Sequence, residues 1–148
     1  MLKNFKEIVQ ELETFCTEHN QINSFAWGNI DNISTTDQVY PQLFLMPVPS
    51  TLESTMANIT FDMYVMDVMK QDRSNLLDVM NETLLIGSDV VANYFDNEED
   101  YNMTLDESVI NIQPFEFRFD DVLAGWIFTI TLQVENNLND CAIPKNLT

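Results

Sequence analysis

The chain has 148 residues, with 24 acidic against 6 basic side chains, a formal charge of −18, and 45% hydrophobic and 11% aromatic residues. A chain of about 150 residues buries roughly 68–70% of its unfolded surface, enough for one core, and so apolar a composition excludes a disordered acidic tail. The charge excludes nucleic-acid binding through phosphates, which runs on Lys and Arg, and disfavours an anionic membrane surface.

Residues 2–18 read as an amphipathic helix: Leu2, Phe5, Ile8, Val9, Leu12, Phe15 and Cys16 recur at spacings of three and four, with Glu7, Glu11, Glu13 and Glu18 facing away. It should stop near His19-Asn20, where the sequence turns polar. A short strand is predicted at Ser24–Ile30, with Phe25 and Trp27 alternating, then Gly28 and polar turn residues through Asp37. A second is predicted at Val39–Met46, and Pro41, Pro47 and Pro49 confine it to a sheet edge or a bulge, because proline donates nothing to the ladder. Residues 48–57 read as a turn or flexible loop. Asn58–Met69 alternates Ile59, Phe61, Met63 and Val65 with Thr60, Asp62 and Tyr64, giving one buried and one wetter face.

Gln71–Asn75 is a polar break with two candidate N-caps, Ser74 and Asn75. A second helix follows to Phe95, its stripe marked by Leu77, Met80, Leu84, Val91 and Phe95. Gly87 and Ser88 inside it read as a close helix–sheet contact, despite the ~1 kcal/mol propensity cost of glycine. The acidic segment Asp96–Glu107 leads to a final hairpin. In its first arm Ile110 and Ile112 share one parity and Phe115, Phe117 and Phe119 the other, so a bulge or break is expected at Gln113-Pro114. In the second arm Trp126, Phe128, Ile130, Leu132 and Val134 alternate cleanly, after a turn at Asp120–Gly125.

The order is α-β-β-β-α-β-β: an α/β chain of the two-layer α+β kind, with helices packed on one face of a mostly antiparallel sheet. Residues 1–135 form one domain and 136–148 an irregular tail. Met1-Leu-Lys-Asn-Phe-Lys-Glu lacks a signal-peptide apolar stretch, and no window approaches the ~18–20 apolar residues of a membrane span. Synthesis in a cytoplasm with Cys16 and Cys141 reduced is therefore expected. Asn32, Asn58, Asn81, Asn102 and Asn146 open Asn-x-Ser/Thr triplets, chance matches in an Asn-rich chain without a secretory signal.

Chemistry is sparse. Two cysteines, no CxxC and the single His19 assemble neither a disulfide framework nor a zinc site. Against a calcium-loop template, Asp96, Glu98, Asp100, Asn102 and Glu107 occupy ligand positions, but Tyr101 stands where the turn needs glycine; a solvated acidic loop accounts for the segment without metal. Cys16 and His19 lie one helical turn apart, yet Cys16 falls in the apolar stripe and reads as a buried structural thiol. Glu98/Glu99 and Asp120/Asp121 are carboxylate neighbours of the kind expected by chance among 24 acids. Only Gly28, Gly87 and Gly125 exist, so no phosphate loop is possible. Met63, Met66 and Met69 read as core. No catalytic, cofactor-binding or metal-ligating residue is assigned, and the chain does not read as an enzyme.

The bases are Lys3, Lys6, Lys70, Arg73, Arg118 and Lys145. Between Lys6 and Lys70 stand nine acids, and from Ser74 to Phe117 ten, with no base in either stretch. Many carboxylates therefore lack a partner within the chain, leaving either a solubilising surface or a functional acidic field.

Phe25-Ala-Trp27-Gly28-Asn-Ile30, Val39-Tyr40-Pro41-Gln-Leu-Phe-Leu-Met-Pro47, Phe61-Asp-Met-Tyr-Val-Met-Asp67, Asp72-Arg-Ser-Asn75, Gly125-Trp126 and Asn139-Asp140-Cys141-Ala-Ile-Pro144 follow one another in an order that extends over roughly residues 2–144. Together they resemble small virion proteins of Bacteroides-type, crAss-like tailed bacteriophages. The resemblance implies a structural ring, tail-completion or tail-hub subunit at the head–tail junction, with the helix-flanked mixed fold of tail-completion proteins and no catalytic residues. It further implies homo-oligomeric rings of about six or twelve subunits, stacked between portal, neck and tail proteins. DNA would pass such a ring without specific binding, repelled by an acidic lumen, while the 41–50 loop, the 96–107 segment and the 136–148 tail reach neighbours. The second function class is an acidic adaptor or DNA-mimic inhibitor of a basic nucleic-acid-binding protein, which the charge alone supports.

Overall fold

The Asn4 side chain accepts a hydrogen bond from the Glu7 amide at 2.9 Å, capping the first helix, α1 (Phe5–Glu18). This cap sets the start at Phe5 rather than at the predicted Leu2, leaving Lys3 outside the helix. In the computed structural model the described residues are 3–32, 38–107, 110–118, 122–138, 141 and 143–145. Ile8, Val9, Leu12 and Cys16 are the buried face of α1.

Strand β1 (Ser24–Trp27) ends sooner than its apolar pattern suggests. Gly28 takes φ +137°, and a 3-10 turn at Ile30–Asn32 brings Ile30 back into a core. β2 (Gln42–Pro47) corrects the prediction of an edge or bulged strand. It lies between β1, to which it runs parallel, and a longer antiparallel strand. The prolines allow this because Pro41 precedes the strand and Pro47 is its last residue, so the amides between them remain for the ladders.

A two-residue strand, β3 (Thr51–Leu52), pairs with β4 (Met56–Val68) inside a segment predicted to be loop. The second helix, α2 (Leu76–Asp96), is followed by the short α3 (Glu98–Tyr101), then β5 (Thr104–Leu105), β6 (Asn111–Arg118) and β7 (Val122–Glu135). The protein is thus mixed α+β around a seven-stranded sheet, antiparallel except for the β1–β2 pair. Its spine is the antiparallel β4–β7 pair, thirteen residues in continuous register from Met56↔Glu135 to Val68↔Leu123. Both β5 and β6 pair with the far side of β7.

The register from Asn111↔Thr129 to Arg118↔Val122 has no interruption, so the break expected at Gln113-Pro114 does not exist. Pro114 is tolerated because β6 pairs with β7 alone among the described residues. The parity change has another cause: both faces of the sheet carry apolar clusters. Ile110 packs against the helix-side core, and Phe115 against a cluster on the opposite face.

The helix-side core joins Ile8, Leu12 and Cys16 of α1, Ile86, Val90 and Tyr94 of α2, and Phe61, Met63, Val65, Phe128, Ile130 and Leu132 of the spine. On the other face Ile30, Phe44, Tyr64, Met66 and Leu123 are buried together. That face was predicted to be wet, and half of it is: Thr60 and Thr131 share a 2.9 Å hydrogen bond, and the Thr129 hydroxyl donates to Asp62 at 2.7 Å.

Candidate functional site

Three sequence candidates dissolve in three dimensions. Asp96 is the last residue of α2, and Glu98, Glu99 and Asp100 lie in α3, so the first half of the expected acidic loop is mostly helical. Successive residues of a helix turn by about 100°, which aims these carboxylates apart rather than at one ion. Among the described residues no group of three or more potential ligands converges. Glu98 and Glu99 instead line a cavity of about 690 Å³ with Glu135, Asn102 and Thr104.

Cys16 and His19 do not form a pair. Burial, with a smaller contribution from Glu13, pushes the Cys16 thiol up to about 12. His19 is engaged elsewhere: its Nδ1 accepts from the Gln21 amide at 3.1 Å, which leaves Nε2 to donate to Asp89 of α2 at 2.8 Å. The residue therefore ties the end of α1 to α2. Of the carboxylate neighbours, Glu98 and Glu99 belong to α3, and Asp120 and Asp121 lie outside the described residues. Of the two predicted caps, Asn75 stands at the N-cap position of α2, but its side chain makes no capping hydrogen bond. The Asn75 side chain accepts from the Lys70 amide at 2.8 Å and donates to the Val68 carbonyl, closing the β4–α2 loop instead of capping α2.

What the fold does assemble is a surface. Among the described residues, eleven acids lie in the three helices against one base, Lys6, whereas the strands contain only Asp62, Asp67, Glu116 and Glu135 as acids. On α2, Asp78, Glu82, Asp89 and Asp96 follow at spacings of four, seven and seven, which places all four within about 40° of one line along the helix. The acidity is thus concentrated on the helix layer, with its straightest ridge on α2. That spacing was legible in the sequence and went unread, because the denser run after Asp96 gives the stronger local signal.

Two of the described bases are already engaged. Lys3 is buried against Glu11, with its ammonium 5.5 Å from the Tyr101 ring centroid. Arg73, whose backbone has φ 64°, makes a bidentate pair with Glu116 at 2.7 and 2.6 Å. The 41–50 and 96–107 segments, expected to be loops, are mostly strand and helix.

The apolar stripe predicted for α2 meets the core only in part, with Met80, Leu84 and Val91 half-buried against it. The buried side of the helix is Val79, Thr83, Ile86, Gly87, Val90 and Tyr94, while Leu77 is 82% exposed and Phe95 54%. Gly87 makes the expected close contact: a Cβ there would stand 2.1 Å from the Phe128 ring. Ser88 does not share it and is exposed. Leu84, Val91 and Phe95 line a groove of about 460 Å³ between α2 and β6, with Ile110, Ile112 and Phe128 opposite. No helix of the described residues is long and apolar enough to cross a membrane. No protein-family model matches the chain, and no curated protein matches it in sequence.

Proposed function

We propose that this chain is a structural virion protein, a subunit of a ring at a phage head–tail junction or tail, assembled between portal and tail components. The reading is supported first by the gathering of eleven acids onto one layer. In a ring with that layer turned inward, carboxylates repel the phosphates of passing DNA, an effect that acts within about 8–10 Å at physiological salt. The order of the motifs that resemble crAss-like phage virion proteins supports the same assignment, and the mixed α+β architecture is compatible with it.

Ring closure requires two different surfaces on each subunit. Exposed apolar side chains stand at Trp27, whose ring meets Phe5 at the start of α1 edge-on, and at Leu52 and Leu138 beside the β3–β4 turn. They are the contacts this reading uses. Mass photometry and negative-stain imaging of the purified chain, alone and with virion lysate, test it. Closed rings with the helix layer inward are expected. A chain that remains monomeric under both conditions, or a ring whose lumen is basic, overturns the proposal.

A second reading, an acidic mimic that blocks a basic nucleic-acid-binding protein, is favoured by the straight ridge on α2. Its signature is a one-to-one complex with such a protein, formed by a chain that stays monomeric.

A further inference from the structure

Among the described residues β1 pairs with β2 alone and β6 with β7 alone, so these two strands stand at opposite ends of the sheet. The helices follow the same order, α1 beside β1 and α2 over β4 and β7. Their inner flanks meet. His19 at the end of α1 reaches Asp89 of α2, and Glu11, Phe15 and Glu18 of α1 share a cavity with Asn93 of α2. At about 100° per residue, Leu84, Val91 and Phe95 stand roughly 120–160° around α2 from Asp89. Lys6 stands roughly 120–180° around α1 from Glu11, Phe15 and Glu18. Each helix thus turns an outer flank toward its own end of the sheet.

The two ends are unlike and complementary. At the β6 end lies the groove between α2 and β6, apolar except for Asp96, the one charged residue in its lining, and bordered by the exposed Phe95 and Ile112. At the β1 end Trp27 is 54% exposed, and its ring meets that of the exposed Phe5 edge-on at 5.7 Å. Lys6, next to Phe5, is exposed and forms no ion pair among the described residues. Glu13 shares the flank of Lys6 but lies about 10 Å further along the helix. Two copies of a chain of charge −18 repel wherever acids face one another, so copies meet where the surface is poor in acid. Groove against groove would set two recesses together and Asp96 against Asp96. The β1 end against the groove fills the recess and brings Lys6 to Asp96.

We infer that the α2–β6 groove receives the β1 end of a second copy of this chain, with the Trp27–Phe5 pair seated against Phe95 and Ile112 and Lys6 beside Asp96. Because the two surfaces lie at opposite ends of the sheet, the contact is head-to-tail and repeats from subunit to subunit. Side-by-side repetition keeps every helix layer on one side of the assembly, as an acidic lumen requires. This contact rests on the ring reading and adds to it the place where neighbours meet.

Disulfide trapping tests it in a Cys141→Ser background, where the remaining Cys16 is buried. Lys6→Cys and Asp96→Cys chains are purified separately, mixed and mildly oxidised. A linked dimer with one chain of each kind is expected, and neither variant alone should link to itself. Sedimentation gives the strength of association. Phe95→Ser combined with Ile112→Ser should weaken it at least about tenfold, the usual effect of removing central apolar anchors, and Trp27→Ser should do the same. Leu85→Ser, exposed on the outward side of α2, should leave it unchanged, and unchanged circular dichroism checks the folding of every variant. Asp96→Lys should weaken association, and adding Lys6→Asp should restore it. Absence of the mixed dimer, self-linking of the Asp96→Cys chain, or undiminished association of the Phe95/Ile112 variant overturns the contact. If the wild type still closes rings in those cases, the ring reading survives; a wild type that stays monomeric, alone and with virion lysate, ends both.

Discussion

Gly125 of β7 stands opposite Met66 of β4, and replacing it with alanine tests how closely the two strands approach there. A Cβ there would stand 1.8 Å from the Val65 carbonyl oxygen, where real contacts stay above 3.0 Å. The strands must therefore part locally by at least about 1.2 Å, a quarter of the normal spacing of about 4.8 Å. A ladder bond of about 2.9 Å stretched by that much exceeds 4 Å and ceases to be a hydrogen bond. Two such bonds at about 1 kcal/mol each, with about 1–3 kcal/mol for disturbed packing, give a loss of roughly 3–5 kcal/mol. That is a large share of the 5–15 kcal/mol typical of a folded domain. Urea unfolding should show a lowered midpoint with an unchanged slope, and melting should fall by about 6–20 °C. Gly28→Ala is the control. Gly28 has φ +137°, but a Cβ added there would meet nothing within 4 Å, so only backbone strain, about 1–3 kcal/mol, is at stake. If Gly125→Ala lies within about 1 kcal/mol of the wild type, close strand approach is not what this glycine provides.

The remaining predictions concern single side chains. Gly87→Ala should destabilise by about 1–2 kcal/mol despite a helix-propensity gain of about 1 kcal/mol, because the new methyl meets Phe128. Adding Phe128→Leu should offset part of that loss, and strict additivity in a double-mutant cycle would refute the contact. At pH 8 a thiol reagent should modify the exposed Cys141 rapidly and Cys16 only on unfolding, since the Cys16 thiol is pushed up to about 12 by burial; rapid loss of both thiols in the native protein refutes this. The Asp67 carboxyl is held above the ordinary carboxylate range by burial, with the Val68 amide opposing and Glu82 adding to the rise. A raised value means that ionisation is penalised in the fold, so the penalty is absent below the unfolded value and complete once pH exceeds the folded one. Asp67→Asn should therefore stabilise at neutral pH and lose that advantage as pH falls below about 4, as measured by melting across pH.

The strand periodicities were legible because a two-residue repeat needs only the chain itself: the even residues of β7 from Trp126 to Val134 do face the helix-side core. The stripe on α2 was not legible in the same way. Apolar residues occupy more than one side of that helix, and a 3.6-residue period marks an apolar line without saying which line meets the sheet. The choice of Val79, Ile86 and Val90 follows from the seating of Gly87 on the Phe128 ring, a contact between residues far apart in the chain. The charge candidates divide likewise. The dense run after Asp96 has the spacing of a metal loop, whereas its residues join α2 and α3 and point apart.

By itself the sequence determined the two long helices and the five longer strands, though not β3, α3 or β5, together with the role of Gly87 as a contact residue and the excess of carboxylates, since propensity, alternation and charge are local properties. Only the tertiary structure decided that β2 is interior, that β6 runs unbroken past Pro114 and that both sheet faces are apolar. It also decided that the acids gather on the helix layer beside an open groove. Each of these depends on which surface of an element is covered by another, and that is set by packing between residues distant in sequence.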